Sequence, residues 1–302
     1  MLTFFTTAKP FTSQNATPQR NALRSWKSLA PDVEVILFGE DQGAREVCEE
    51  LGLRHEPYVE RNEFGSKRLD FMFRRAQAVA SHELLCYINC DIMLLPDFCA
   101  ALERVSAAHS RFVMVGRRWD LDIQEPVDFE APGAADRLRL RALSQGVQRE
   151  PHTIDYFAFR RGLPWELPPL VVGRIWWDHF LAWKALQLRA SLVDASSCVV
   201  AIHQNHDYGY HPAGATGVWN DEQARRNYDL AGGRWHLYTI ADATNVLTPG
   251  GERRNWKRFW APYWRFLRPK LAPGWLAFLD VTRPVRRFLG LRRARLPRAT
   301  QT

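Results

Sequence analysis

The sequence predicts an α/β protein: a doubly wound, mostly parallel sheet with helices on both faces, followed by a basic aromatic appendage. Three observations carry that expectation. Apolar runs of strand length alternate with helix-period segments of about a dozen residues as far as residue 118. The runs are apolar throughout instead of alternating with polar residues, as expected of strands covered on both faces. The balance of charge changes sign near residue 253. With 302 residues, 46% hydrophobic and 25% charged, the chain can bury one large domain, or one domain and an appendage.

The elements are expected in this order. "LTFFTT" is the first strand. "TPQRNALRSWKSLA" is a helix with Thr17 as its cap, Pro18 at its first position, and Ala22, Trp26 and Leu29 at helical spacing. "VEVILF" is a buried strand, and "DQGAREVCEELG" a helix closed by Gly52. "LRHEPYV" is the third strand, and "SKRLDFMFRRAQAVASH" a helix capped by Ser66. "ELLCYIN", the helix "PDFCAALERVSAAH" and the strand "RFVMVGRR" complete the alternation. Residues 116 to 146 read as an inserted element. If the fifth strand is placed correctly, Trp119, Asp120 and Asp122 point at the crevice, and Arg117 or Arg118 could meet a diphosphate or form a salt-bridged rim.

Charge separates the chain into two parts. From Arg253 onward there are 14 Lys/Arg and one acid, Asp280; the preceding residues hold 27 basic and 32 acidic side chains, so +13 follows −5. The organisation expected is a main domain over 1–250, split into halves 1–118 and 119–250, and a tail over 251–302. Pro262, Pro269, Pro273 and Pro284 cut the tail into short amphipathic pieces carrying Trp256, Trp260, Trp264 and Trp275, which suits an anionic membrane interface. Nucleic acid is the disfavoured partner, because the body offers no reading element. Five cysteines without a CxxC pair argue against a disulfide framework and a zinc ribbon. No signal-peptide pattern and no apolar stretch of about 18 residues is present. The expected location is cytoplasmic, peripheral on the inner face of a membrane.

"LLCYINCDIMLLPDF", residues 84 to 98, carries the chemistry of the first half. A central strand that ends on Asn89 and Asp91 opens onto the crevice where open α/β sheets bind their ligands. Side-chain alternation puts both on one side, with Cys90 between them, where they can face a hard cation or a sugar hydroxyl. The alternative is that Asp91 caps the turn and Asn89 bonds the backbone.

The order of "LTFFTTAKPF", "VEVILFGEDQG", a helix and "YINCDIMLLPDF" resembles the nucleotide-binding half of GT-A glycosyltransferases of the family 2-like group, over residues 1 to about 210. The resemblance implies a GT-A type sheet and transfer of a sugar from a nucleotide-diphosphate donor, UDP-sugar favoured, to a hydroxyl of a glycan or lipid-linked acceptor. It also implies a Mn²⁺ or Mg²⁺ cofactor at a strand-terminal DxD motif. Here the motif is Asn89-Cys90-Asp91, without the first acid, and Asp91 matches the metal-contacting position. Donor contacts are implied at Thr6, Thr7, Glu40, Asp41, Lys67, Asp70, Asn89 and Asp91; Arg68 lies among them, whereas Arg74 and Arg75 read as solvated. Glu40 and Asp41 equally suit a turn and a helix cap.

In the second half, Asp155 and Arg160 of "IDYFAFRRG" resemble the strand that follows the metal site. "GRIWWDHFLAW" resembles the segment bearing the base of inverting members, which makes Asp178 the catalytic candidate, with Trp176 and Trp177 as an acceptor-side sugar-stacking face. A late histidine serves as a further metal ligand in many GT-A enzymes, and His203 and His206 both fit within a burst that includes Asn205, Asp207, Tyr208 and His211. A sugar nucleotidylyltransferase is disfavoured, since "TTAKPFTSQNATP" lacks a glycine-rich phosphate loop. A non-catalytic membrane or nucleic-acid binder acting through the tail is the remaining alternative.

Overall fold

The computed structural model describes residues 2–205 and 219–260. The chain divides into two units, Met1–Asn255 and Trp256–Thr302. The first unit opens with β1 (Leu2–Thr7), α1 (Ala16–Lys27), β2 (Glu34–Phe38), α2 (Ala44–Leu51), β3 (Arg54–Glu56), α3 (Leu69–Val79) and β4 (Leu84–Ile88). It continues through β5 (Ile92–Met93), α4 (Asp97–Ala108), β6 (Phe112–Val115), β7 (Arg118–Leu121), α5 (Ala134–Gln145), β8 (Val147–Gln148) and β9 (Tyr156–Arg160). The last elements are α6 (Trp177–Gln187), β10 (Ser191–Asp194), β11 (Ala201–Gln204), α7 (Glu222–Leu230), β12 (Asn245–Thr248) and β13 (Gly251–Arg254).

Nine strands form the large sheet, in the order β13-β12-β10-β6-β9-β4-β1-β2-β3. β3, β2, β1 and β4 are parallel neighbours, as are β6, β10 and β12. β9 runs antiparallel between β4 and β6, and β13 closes the edge antiparallel to β12. This is the mostly parallel α/β sheet that the sequence predicts. Alternation along each strand sends Phe4, Cys86, Ala158 and Val193 to one core, with Trp26 of α1 and Phe98 of α4. Phe5, Tyr87, Phe159 and Leu192 enter the other, with Phe73 of α3 and Phe180 of α6. Both faces are therefore covered by helices, which is why the strands read as unbroken apolar runs.

Several local expectations shift. α1 starts at Ala16, after a 3₁₀ turn, so Pro18 sits inside the first turn, where no intrahelical N–H partner is lost. Ser66 does not cap α3: its backbone N–H goes to Asn62 Oδ1 (2.8 Å), and the helix begins at Leu69 after extended Arg68. The strand expected over 111–118 stops at Val115, because the chain leaves the large sheet at Gly116, where a Cβ would collide with the Tyr156 hydroxyl. The sheet also continues past the expected domain end at 250, through Arg254.

Residues 116–146 are woven in, not hung on. β7 lies beside β11 in a second, four-stranded sheet of order β5-β11-β7-β8. Its strands are two to four residues long and come from positions 92 to 204. Met93, Leu121, Ile123 and Ile202 bury a small core beneath it, with Leu138 and Ala142 of α5.

Candidate functional site

β4 delivers its polar end beside this small sheet. After Ile88 the chain turns through Asn89, Cys90 and Asp91 before β5 begins. Cys90 is 6% exposed and packs inward, while Asn89 and Asp91 are half-buried at the opening. Asn89 is tied to Asp155 twice, by its backbone N–H to the carbonyl (3.0 Å) and by Nδ2 to Oδ1 (2.8 Å). Asp155, expected on the acceptor side, is 5% exposed and receives Arg118 Nη1 on both carboxylate oxygens at 3.1 Å.

Strand register builds the rest. β11 pairs with β5 on one side and with β7 on the other, placing His203 opposite Ile92 and opposite Asp120. Arg118 and Asp120, two apart on β7, share a face, so Arg118 Nε donates to Asp120 Oδ1 at 2.8 Å. Trp119, between them, turns to the small core, so it does not reach the crevice. His203 Nδ1 lies 3.2 Å from Asp120 Oδ1, and its Nε2 stands 3.8 Å from Asp91 Oδ2. Arg149 Nε adds a contact to Asp120 Oδ2 at 3.3 Å. The result is a continuous chain: Asn89, Asp155, Arg118, Asp120, His203, Asp91.

Charge in this chain is coupled. Burial would lower the Arg118 pKa, but Asp155, Asp120 and Asp91 raise it well above the usual value. Burial would raise Asp120, but the adjoining His203 ring and the charges of Arg118 and Arg149 hold it below the ordinary carboxylate value. Three carboxylates, Asp155, Asp120 and Asp91, meet two guanidiniums, Arg118 and Arg149, and the His203 ring. A divalent cation fits that donor set: Asp91 carboxylate, an imidazole whose other nitrogen is held by a carboxylate, and remaining positions for phosphate and water oxygens. Among the described residues no group of three or more His, Cys, Asp or Glu side chains could hold a metal by itself.

Asp178 is the second residue of α6, where its charge faces the helix N-terminus. Its side chain is 19% exposed, with His179 Nε2 3.8 Å from Oδ2. Burial pushes its pKa above the ordinary carboxylate value, and Asp155 adds to the rise. The buried Tyr87 hydroxyl is raised by burial first and then by Asp91, Asp155 and Asp178, so these three carboxylates act on one tyrosine. Trp177 corrects one expectation. It is 5% exposed and meets Tyr87 edge-on at 5.2 Å, so it is core and offers no sugar face. Trp176 remains: its φ of 87° is left-handed, an uncommon state for a bulky residue, and its ring packs on His179 at 5.6 Å and Tyr228 at 5.7 Å. With Trp219, Asn220, Arg225, Tyr228 and Asp229 it lines a cleft of about 660 Å³.

The expected donor residues are mostly occupied within the fold. Thr6 donates to the Ile88 carbonyl at 2.5 Å and Thr7 to the Phe38 carbonyl at 2.8 Å, so both hydroxyls brace strands. Lys67 is 7% exposed, ion-paired with Asp41 and bonded to the Ala8 carbonyl at 2.6 Å. Burial depresses its pKa in spite of Asp41. Asp70 is held by Arg68 Nη2 at 2.6 Å, and Glu40 is exposed. Arg74 and Arg75 are solvent-facing and pair with Glu60 and Glu56. Arg117 bonds Gln148 at 2.6 Å, Asp122 is exposed and bonded by Asn205 at 2.6 Å, and Arg160 reaches the Ser106 carbonyl at 3.1 Å. His206, Asp207, Tyr208 and His211 lie outside the described residues.

No protein-family model matches the sequence, and no curated protein sequence does. Solved structures do overlap it. A glucosyl-3-phosphoglycerate synthase from Mycobacterium tuberculosis, in complex with Mg²⁺ and uridine diphosphate, is 16% identical; the overlap covers 77% of this chain and 80% of that one, with a TM-score of 0.45. The same enzyme with Mn²⁺, UDP-glucose and phosphoglyceric acid overlaps at 15% identity and a TM-score of 0.45, over the same shares of the two chains.

Proposed function

We propose that the chain is a nucleotide-sugar glycosyltransferase that moves a hexose from a UDP-sugar to an acceptor hydroxyl with inversion. The observation that carries this reading is Asp91 and His203 at 3.8 Å beside the carboxyl end of central strand β4. Bound Mn²⁺ or Mg²⁺ would neutralise the leaving diphosphate, and Asp91 and His203 are the residues that would hold it. Asp178 takes the proton of the acceptor hydroxyl as that oxygen attacks the anomeric carbon and the diphosphate departs. Its raised affinity for a proton suits a base that must hold one until turnover ends. The Trp176 cleft receives the acceptor, a glycan or lipid-linked sugar whose apolar ring face stacks on the indole. Donor contacts fall to Glu40 and Asn89 at the β2 and β4 ends, with the Lys67–Asp41 ion pair behind them.

The tail would bring this domain to an anionic membrane on the cytoplasmic side. Among its described residues, Trp256, Phe259 and Trp260 are 66–70% exposed and interleave with Lys257 and Arg258. Residues 261–302, with Trp264, Trp275 and the prolines, lie outside the described residues. No helix among the described residues is long and apolar enough to cross a membrane.

The test is thermal denaturation with UDP, GDP, CDP or dTDP, with and without Mn²⁺, on the wild type and Asp91→Ala. UDP with Mn²⁺ at a hundredfold excess over its Kd stabilises the wild type by about 2.7 kcal/mol, and Asp91→Ala shows no metal-dependent gain. A folded protein that no nucleotide shifts overturns the transferase reading. Sedimentation with phosphatidylserine vesicles, reversed by salt, tests the tail; equal binding to neutral vesicles at high salt rejects it.

A further inference from the structure

We propose that Asp120 is a positioning residue that presets the cation site, by holding the His203 ring with Nε2 turned toward Asp91, and that Arg118 in turn fixes Asp120. The inference rests on the transferase reading above, and it names residues to which that reading gives no role.

Register supplies the first support. Asp120 and His203 are direct partners across the parallel β7–β11 pair, so the 3.2 Å contact is set by backbone hydrogen bonding and not by chance reach of long side chains. Tautomer chemistry supplies the second. A carboxylate can only accept, so Asp120 Oδ1 selects the imidazole form protonated on Nδ1, which leaves the Nε2 lone pair on the Asp91 side, 3.8 Å from Oδ2. The third support is the way Asp120 is itself held: Arg118 Nε donates to Oδ1 at 2.8 Å and Arg149 Nε approaches Oδ2 at 3.3 Å. Arg118 also grips Asp155, whose other contact is Asn89, the first polar residue after β4. The two ends of the motif turn, Asn89 and Asp91, are thus joined through β7 and β11. Loss of the first acid of a DxD motif is offset by this brace: Asn89, which cannot supply a carboxylate, anchors Asp155 and keeps the turn in register with His203.

Among the described residues, Asp91 from the β4–β5 turn and Asp120 from β7, the latter backed by Arg118 and by Arg149 from the segment after β8, face the His203 ring. An isolated imidazole would be free to rotate or to protonate on either nitrogen. In this arrangement one orientation is selected before any ligand arrives, so the cost of ordering the ligand is met during folding.

The experiment is an electron paramagnetic resonance titration of Mn²⁺ in the presence of UDP, on the full chain, for wild type, Asp120→Asn, Asp120→Ala, His203→Ala and Asp122→Ala. Asp120→Asn keeps the shape and one accepting oxygen, so it guards against misfolding of the alanine variant. Nitrogen-15 spectra of the histidine rings report the tautomer alongside. The wild type binds Mn²⁺ with an Nδ1–H His203, Asp120→Ala weakens Mn²⁺ by about 10- to 100-fold with loss of that tautomer, and Asp120→Asn falls between. Asp122→Ala, an exposed acid two residues away, binds as the wild type does. If Mn²⁺ binds the wild type and both Asp120 variants equally, the positioning role is overturned while the transferase reading stands. If Mn²⁺ fails to bind the wild type with UDP present, the transferase reading falls and this inference falls with it.

Discussion

The large and the small sheet of this protein obey different rules. Central strands of the large sheet, β1, β2, β4 and β6, alternate with helices, bury both faces and carry few charges. The small sheet is assembled from four short strands far apart in the chain, and it holds Arg118, Asp120 and His203 beside Asp91. The contrast separates two tasks. Stability is concentrated where apolar area is concentrated, and the polar constellation is placed where a strand end meets a second layer that is too small to be a core in its own right.

Asp178→Asn should have the largest effect and places the reaction outside both sheets. Turnover falls by about 10²- to 10⁴-fold, measured as initial rate on a soluble acceptor. The same substitution stabilises the fold. Because the folded pKa of Asp178 lies above its unfolded value of about 3.9, ionisation costs stability as pH rises through that interval, and the amide removes the cost. The gain in Tm is therefore present at neutral pH and vanishes as the pH falls below about 4. A variant with lower Tm at pH 7 would sink that account, and for the wild type an acidic limb of the rate profile at the ordinary carboxylate value would do so independently.

Next comes the large sheet. Phe159→Ala removes a ring that touches Phe5, Phe73 and Trp165, and should cost about 3–5 kcal/mol by urea unfolding. Ile202→Ala, its counterpart in the small sheet, is fully buried but in a smaller cluster, and should cost nearer the low end of about 2–5 kcal/mol. It also loosens the strand that carries His203, so Mn²⁺ binding per folded molecule weakens, whereas Phe159→Ala leaves it intact. Equal costs with equal binding would erase the distinction drawn between the sheets. The smallest effect is expected from Asp221→Ala, which removes the side-chain cap to Ala224 N–H (2.8 Å) at the start of α7 and should cost about 1 kcal/mol without changing Mn²⁺ affinity.

The same contrast explains what was legible in the sequence. β1, β2, β4, β6 and their helices announce themselves through local periodicity, because each buries its own face against a neighbour in sequence or the next strand over. Asn89 and Asp91 were legible as polar residues ending an apolar run, and His203 as the first histidine after one. The pairing of His203 with Asp120 was not legible, since it depends on the register of two strands that are separated by more than eighty positions and are four residues long each. Thr6 and Thr7 misled for the opposite reason. A hydroxyl at a strand end reads as a ligand contact, yet each donates to a carbonyl of the adjacent strand, a partner that only the sheet order reveals. Trp177 misled because, as the first residue of α6, it turns into the core against Tyr87, while Trp176 stands outside the helix as its left-handed cap.

β9 has a consequence for how the chain is made. It lies between β4 and β6, although it is synthesised after both. A nascent chain that has delivered residues 2–115 owns β1 to β4 and β6 but has a gap one strand wide, and β6 is not joined to β4 until Tyr156–Arg160 emerge. The small sheet waits longer still, for β11 at residues 201–204. At synthesis rates of about 5–20 residues per second, the growing chain spends seconds with an open slot in its central sheet, exposing unpaired strand edges on β4 and β6. A fragment ending near residue 120 should therefore be a substrate for chaperones and not a foldable half, and the Asn89–Asp91 turn after β4 acquires its β11 partners only when about two-thirds of the polypeptide has been made.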